Sequence, residues 1–236
     1  MSILDRPSPN HGPRPPGTTI ALILLHYTGM RDAASALARL RDPTSGVSCH
    51  YLIAEDGTIV RLVAEDRRAW HAGRSAWFDH RDVNAVSIGV ELVNPGHEWG
   101  YRPFPRPQIG RLCALLEELL DRYRLGPAAV VGHSDVAPAR KRDPGELFPW
   151  SELAARGLAL APATAPPRAV DAFRARELLQ AIGYVPDPPE VPLPMLLRAF
   201  QRRFRQQRVD GVLDIETMGL LEAAAALSEG ARSAKS

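Results

Sequence analysis

Only two cysteines occur among 236 residues, Cys49 and Cys113, and no CxxC spacing joins them. That excludes a disulfide-stapled scaffold and argues against a thiolate zinc or redox pair. A reducing compartment suits both thiols. Long apolar runs are lacking too, since nothing approaches the roughly 18 residues of a membrane helix. The start, Met1-Ser2-Ile3-Leu4-Asp5-Arg6-Pro7, has no basic stretch leading into an apolar one, and no lipid-accepting Cys follows. The expectation is a cytoplasmic protein with no membrane partner, a periplasmic place being the alternative. Charge of one sign is also missing. With 29 Lys plus Arg against 27 Asp plus Glu, the net charge of +2 is too small to call for nucleic acid or an anionic membrane.

Proline is plentiful, 22 residues, and its distribution organises the chain. One cluster lies between Pro7 and Pro16. Another, in the stretch ending Pro166-Pro167, reads as an interdomain linker stiffened toward polyproline II. The expected division is a catalytic domain over residues 1–160, a linker over 161–170, a small helical module over 171–230 and a tail over 231–236.

Apolar periodicity in the first part predicts a strand over residues 19–26 and a helix over 32–40. A hairpin follows, 50–54 with 58–63, turned at Glu55-Asp56-Gly57, where Gly57 supplies the positive φ. A strand over 87–93 precedes an amphipathic helix over 108–124, ended by Gly126-Pro127, with Cys113 on its apolar face. A short strand over 128–131 is the last. Strands alternating with helices around one hairpin give the fold class α/β, a mixed β-sheet flanked by helices, with a small C-terminal three-helix domain.

The loop from Gly132 to Gly145 packs an imidazole, an ammonium and a carboxylate into a short polar stretch after a strand. His133 and Asp143 can reach one cation, and His26, directly after the apolar run from Ile20 to Leu25, is a third candidate. Two imidazoles, one carboxylate and one open position make a catalytic zinc set. A single His after a strand is more often a hydrogen-bonded structural residue, so the set depends on its context.

Four blocks supply that context: Leu25-His26-Tyr27-Thr28, Ala69-Trp70-His71-Ala72-Gly73, the stretch from Asn84 through Glu91 to Asn94, and the Gly132 to Gly145 loop. Together they resemble the zinc-dependent N-acetylmuramoyl-L-alanine amidases of the bacterial type 2 group, the recycling amidases among them. These share a fold with the animal peptidoglycan recognition proteins. The resemblance implies that His26, His133 and Asp143 ligate zinc, that Glu91 and Lys141 are catalytic, and that Trp70, His71, Ala137 and Arg140 meet a muropeptide or peptidoglycan substrate. The implied reaction is hydrolysis of the amide between N-acetylmuramic acid, in its 1,6-anhydro form, and L-alanine, in peptidoglycan recycling. The alternatives are an exported amidase acting on intact peptidoglycan and a recognition protein that binds without cutting. Such recognition proteins typically lose the third ligand, which here is filled by Asp143. No obligate protein partner is evident.

The chemistry can also be argued from the residues. Amide hydrolysis near neutral pH needs a nucleophile, and zinc lowers the pKa of a bound water to about 7. Glu91 ends an apolar run, where a charge is costly unless paired, so general-base work and a structural salt bridge are equally good readings. Lys141 is either an oxyanion stabiliser or a solvated lysine between Arg140 and Arg142. Asn94 either donates to a substrate carbonyl or ends its strand in a turn with Pro95-Gly96. His50, His80 and His97 read as surface residues.

Beyond the linker, residues 171–180 and 194–205 predict helices. The Phe200-Gln201 pair and the segment from Asp210 to Thr217 resemble a three-helix peptidoglycan-binding module, with Asp214 and Thr217 suiting a capped helix start. Five arginines lie between Arg198 and Arg208, but residues 171–236 hold nine Lys plus Arg and nine Asp plus Glu. A solvated helix face is therefore expected rather than a nucleic-acid site. Every zinc and acid-base candidate precedes the linker, so removal of the module is expected to do little to the chemistry, though it lowers stability if the module packs on the catalytic domain.

Overall fold

A computed structural model describes residues 2–161, 164–185 and 190–233. Pro162 and Ala163 of the expected linker, residues 186–189 of the expected module and the last three residues of the expected tail lie outside the described residues. The chain forms two compact units, one of Met1–Gly73 with Asp82–Leu125 and the other of Arg74–Arg81 with Gly126–Ser236.

The first unit runs β1 (Ile3–Asp5), β2 (His11–Pro13), β3 (Leu22–Tyr27), α1 (Ala33–Arg41), β4 (Tyr51–Ile53), β5 (Ile59–Arg61), β6 (Arg67–Ala69), α2 (Val83–Val86), β7 (Ser87–Leu92), α3 (Gly96–Trp99) and α4 (Arg106–Arg122). β3 reads Leu-Ile-Leu-Leu because a central strand is buried on both faces, as parallel strands are. It pairs in parallel with β7 over six residues, Leu22 opposite Ser87 through His26 opposite Glu91 to Tyr27 opposite Leu92. β7 pairs in parallel with β4, β4 antiparallel with β5, and β5 in parallel with β1. The hairpin turns at Gly57 (φ 87°) as expected. Within this unit the main sheet has the order β1-β5-β4-β7-β3. It is the mixed sheet flanked by helices that the alternation of strands and helices predicts.

α1 begins where Asp32 accepts a hydrogen bond from the Ser35 amide, which satisfies one of the donors a helix start leaves open. α4 buries Ile109, Leu112, Cys113, Leu116, Leu119 and Leu120, the predicted stripe. Tyr123, at the C-terminal end of the helix, donates its hydroxyl to Glu65. The strands β1, β2 and β6 are new. At three residues each they are too short to show a period of two. Arg14 fills a gap that periodicity cannot show: its guanidinium donates to the carbonyls of Glu65, Asn84, Ala85 and Ser87. Backbone groups that the loops would leave unpaired are thereby satisfied.

In the second unit a 3-10 turn at Pro127–Ala129 leads to β8 (Val130–Gly132), then α5 (His133–Val136), α6 (Trp150–Ala155), α7 (Ala172–Ile182), α8 (Leu193–Phe204) and α9 (Ile215–Ser233). The last three pack on one another, with Phe200 and Phe204 buried at a ring separation of 4.7 Å. The tail expected from residue 231 onward is helical through Ser233. Gln201, fully buried, accepts from the amides of Asp210 and Gly211 and donates to the Val212 carbonyl. Asp214 accepts from the Thr217 amide. The Phe-Gln and Asp-Gly residues of the module thus hold the turn between its last two helices.

The solvated arginine face is only partly present. Arg198 and Arg208 are exposed, but Arg203 and Arg205 are each 5% exposed. Arg205 pairs with Asp214 and Glu216, and Arg203 pairs with Asp135 beneath the Trp150 ring. Counting net charge averages such pairs away, which is why composition missed them. Among the described residues no helix is long and apolar enough to cross a membrane.

Candidate metal centre

The strand side of the centre is built by backbone. His26 and Glu91 are register partners on adjacent parallel strands, so their side chains project from the same face of the sheet. His26 is buried and Glu91 half-buried. His71 is buried as well, with Nδ1 3.1 Å from His26 Nε2 and its ring edge-on to the His26 ring. Its backbone amide and that of Ala72 donate to Asn84 Oδ1, which fixes the Trp70-His71-Ala72 turn. Trp70 is half-buried, its amide donating to Ser48 Oγ.

Two expectations are corrected in this region. Asn94 is fully buried, donating to the Arg102 carbonyl and accepting from the Gly96 amide. Its amide therefore closes the strand-ending turn and is not offered to a substrate. His50 is not a surface residue but fully buried, accepting at Nδ1 from the Gly89 amide. Burial pushes its pKa down to about 3, and the nearby Arg14 guanidinium adds to the effect. His80 and His97 are half-buried, and the His97 ring nitrogen meets the Tyr27 hydroxyl at 2.8 Å.

The loop side is built by side chains. β8 ends at Gly132, and His133 opens the one-turn helix α5. Asp135, 1% exposed, accepts from the Gly132 amide, from the Tyr184 hydroxyl at 2.6 Å and from Arg203 at 2.9 Å. The Ser134 amide donates to the Asp143 carbonyl, tying the loop's two ends together. His133 Nδ1 lies 2.9 Å from Asp143 Oδ2. Between them Ala137 is buried, Arg140 donates to the Arg74 carbonyl, and Lys141, half-buried, donates its amide to the Ala137 carbonyl. Asp135, Tyr184 and Arg203 escaped sequence reasoning. Only Asp135, two residues after His133, gave any signal, and its partners lie far along the chain.

His26, His133 and Asp143 each offer one ligand atom, and these atoms all lie within 4.8 Å of one another, on three buried residues. Three buried polar groups converging this closely are costly without a shared partner. Two imidazoles and one carboxylate are a donor set that can hold a divalent transition-metal ion.

A family model described as N-acetylmuramoyl-L-alanine amidase matches residues 16–146. N-acetylmuramoyl-L-alanine amidase AmiD of Escherichia coli is 37% identical over 86% of this chain and 82% of its own. A solved structure of E. coli AmiD in complex with the substrate anhydro-N-acetylmuramic acid-L-Ala-D-γ-Glu-L-Lys superposes with a TM-score of 0.79 at 36% identity, covering 94% of this chain and 93% of that one. The 1,6-anhydro-N-acetylmuramyl-L-alanine amidase AmpD of Enterobacter cloacae is 33% identical over 62% of this chain and 86% of its own.

Proposed function

The chain belongs to the N-acetylmuramoyl-L-alanine amidase family, and on that premise we propose that it is a zinc hydrolase of peptidoglycan recycling. It cleaves the amide between N-acetylmuramic acid, in the 1,6-anhydro form, and the L-alanine of muropeptides. The single observation that carries the reading is the convergence of His26, His133 and Asp143 within 4.8 Å, in a chain similar along most of its length to an amidase whose structure holds an anhydro-muropeptide.

In this reading those three residues hold zinc, which when bound supplies Lewis acidity toward the scissile carbonyl and makes water a competent nucleophile near neutral pH. Glu91, held by β7 on the same sheet face as His26, accepts the proton of the attacking water and returns it to the leaving amine. Lys141 places a fixed positive charge where the tetrahedral oxyanion develops. Trp70, Ala137 and Arg140 line the approach of the muropeptide. Residues 1–160 carry the chemistry, and the helices beyond residue 171 are a peptidoglycan-binding-like module. Action on small soluble fragments supports the cytoplasm as the compartment, which fractionation tests.

The experiment is release of free peptide from an anhydro-muropeptide, followed by mass spectrometry, before and after chelation and after zinc is restored. Loss with chelator and recovery with zinc is expected. Unchanged muropeptide with zinc-loaded enzyme would refute the reading. A second reading, an exported enzyme acting on intact peptidoglycan, is favoured by one observation: the likeness to AmiD covers 94% of the chain and so takes in the C-terminal helices. Release of peptide from intact sacculi, lost when Gln201 or its turn is disrupted, would favour it.

A further inference from the structure

His71 was expected to meet substrate, yet it lies buried behind His26. A chain of polar contacts there has a direction that can be worked out from its far end. The Ser87 hydroxyl carries one proton, and it donates that proton to the Val83 carbonyl at 2.5 Å. Toward His71 Nε2, 3.3 Å away, Ser87 Oγ is therefore an acceptor, so His71 carries its proton on Nε2. A neutral His71 then presents the lone pair of Nδ1 to His26 Nε2, 3.1 Å away. His26 must donate from Nε2, and its own lone pair sits on Nδ1.

The ring has a prepared seat. A Cβ at position 89 would come within 2.5 Å of the His71 ring, so Gly89 is what lets an imidazole stand against the sheet between Ser87 and His26. A buried aliphatic residue would fill that space at lower desolvation cost.

We propose that His71 is a positioning residue: with Ser87 behind it, it holds His26 in the Nε2–H tautomer and so presents Nδ1 to the metal. Metal-binding histidines commonly donate their second ring N–H to a carboxylate, a carbonyl or water. Here another imidazole takes that place. The inference rests on the zinc reading above and is separable from it, since a wild-type chain that failed to bind zinc would sink that reading first.

The test measures zinc affinity by chelator competition in the full-length wild type and in the variants His71→Leu, His71→Gln and Ser87→Ala. Loss of such a partner costs about 10- to 100-fold in affinity. His71→Leu should lose that much. His71→Gln, whose amide oxygen can still accept from His26, should bind more tightly than His71→Leu, whereas a role in packing alone would favour leucine. Ser87→Ala, a smaller perturbation, should weaken zinc with the ring still in place. Long-range 15N–1H NMR spectra of zinc-loaded wild type should show His26 protonated at Nε2, a readout that needs no variant to fold. A proton on Nδ1 of His26, or wild-type zinc affinity in His71→Leu, would overturn the proposal.

Discussion

The two regions that supply the candidate ligands are held by different forces. His26 stands on β3, whose six residues pair in register with β7, so the backbone ladder fixes the Cα and only the ring's orientation needs help. His133 and Asp143 stand on a loop with no ladder. Their position depends on a buried carboxylate, Asp135, that joins Gly132 to Tyr184 and Arg203. A strand-borne ligand is robust because many weak bonds share the constraint. A loop-borne pair depends on a few strong ones, any of which a single substitution removes.

The largest effect tests whether the strand side is rigid enough to separate chemistry from metal binding. Glu91→Gln is nearly isosteric and sits on a paired strand, so zinc content should stay at wild-type level. Turnover should fall on the order of 100- to 10,000-fold, the usual loss of a general base. Metal analysis beside the kinetics of peptide release checks both halves. Activity within a few-fold of wild type would remove Glu91 from the mechanism.

On the loop side, Arg203→Met should reach the metal from far along the chain. It leaves Asp135 as an uncompensated buried charge, which costs about 3–5 kcal/mol, and the His133 loop is what that carboxylate organises. Urea melts should show the loss, and zinc content should fall with it. The control is Arg61→Ala in the first unit, whose pair with Asp5 is 47% and 61% exposed. Its cost should be about 0–1 kcal/mol. Removal of the C-terminal helices deletes both Arg203 and Tyr184, so truncation should lower stability and zinc content together.

Lys141→Ala gives a slightly smaller effect. An oxyanion contact is made chiefly in the transition state, so kcat should drop about 100- to 1,000-fold with little change in KM. A pure KM effect would move Lys141 to substrate binding and leave the loop with metal ligands only.

The same contrast explains what the sequence made legible. The runs around β3, β7 and α4 announce themselves because burial imposes a period or an unbroken apolar stretch. His26 and Glu91 inherit their places from those runs. The partners of the loop do not follow any period: Asp135, Tyr184 and Arg203 meet only in three dimensions, and Arg203 looks in sequence like one more charge on a basic helix. His50 was misjudged for a related reason. It precedes a strand as a surface residue would, but the Gly89 amide and the Arg67 carbonyl that accommodate it come from other segments. A buried polar residue is legible only when its partners are.

His50 gives the smallest effect and probes the strand side by pH. Its folded pKa, about 3, lies below the ordinary 6.5 because burial disfavours the cation and the nearby Arg14 guanidinium repels it. Between those two values the unfolded chain takes up a proton that the folded chain refuses. Stability from this group is therefore complete above about pH 6.5 and declines as pH falls, by up to about 1.4 kcal/mol per unit. Contributions from other groups are shared by wild type and variant, so the difference between them isolates His50. His50→Gln cannot take up that proton. It should be less stable at pH 7, having lost a fitted ring, yet lose about 2 kcal/mol less than wild type between pH 7 and pH 5 in urea melts. Parallel curves for the two proteins would mean that His50 takes up its proton as readily in the fold as in the unfolded chain, and that the sheet behind His26 tolerates charge where the hydrogen bonds say it does not.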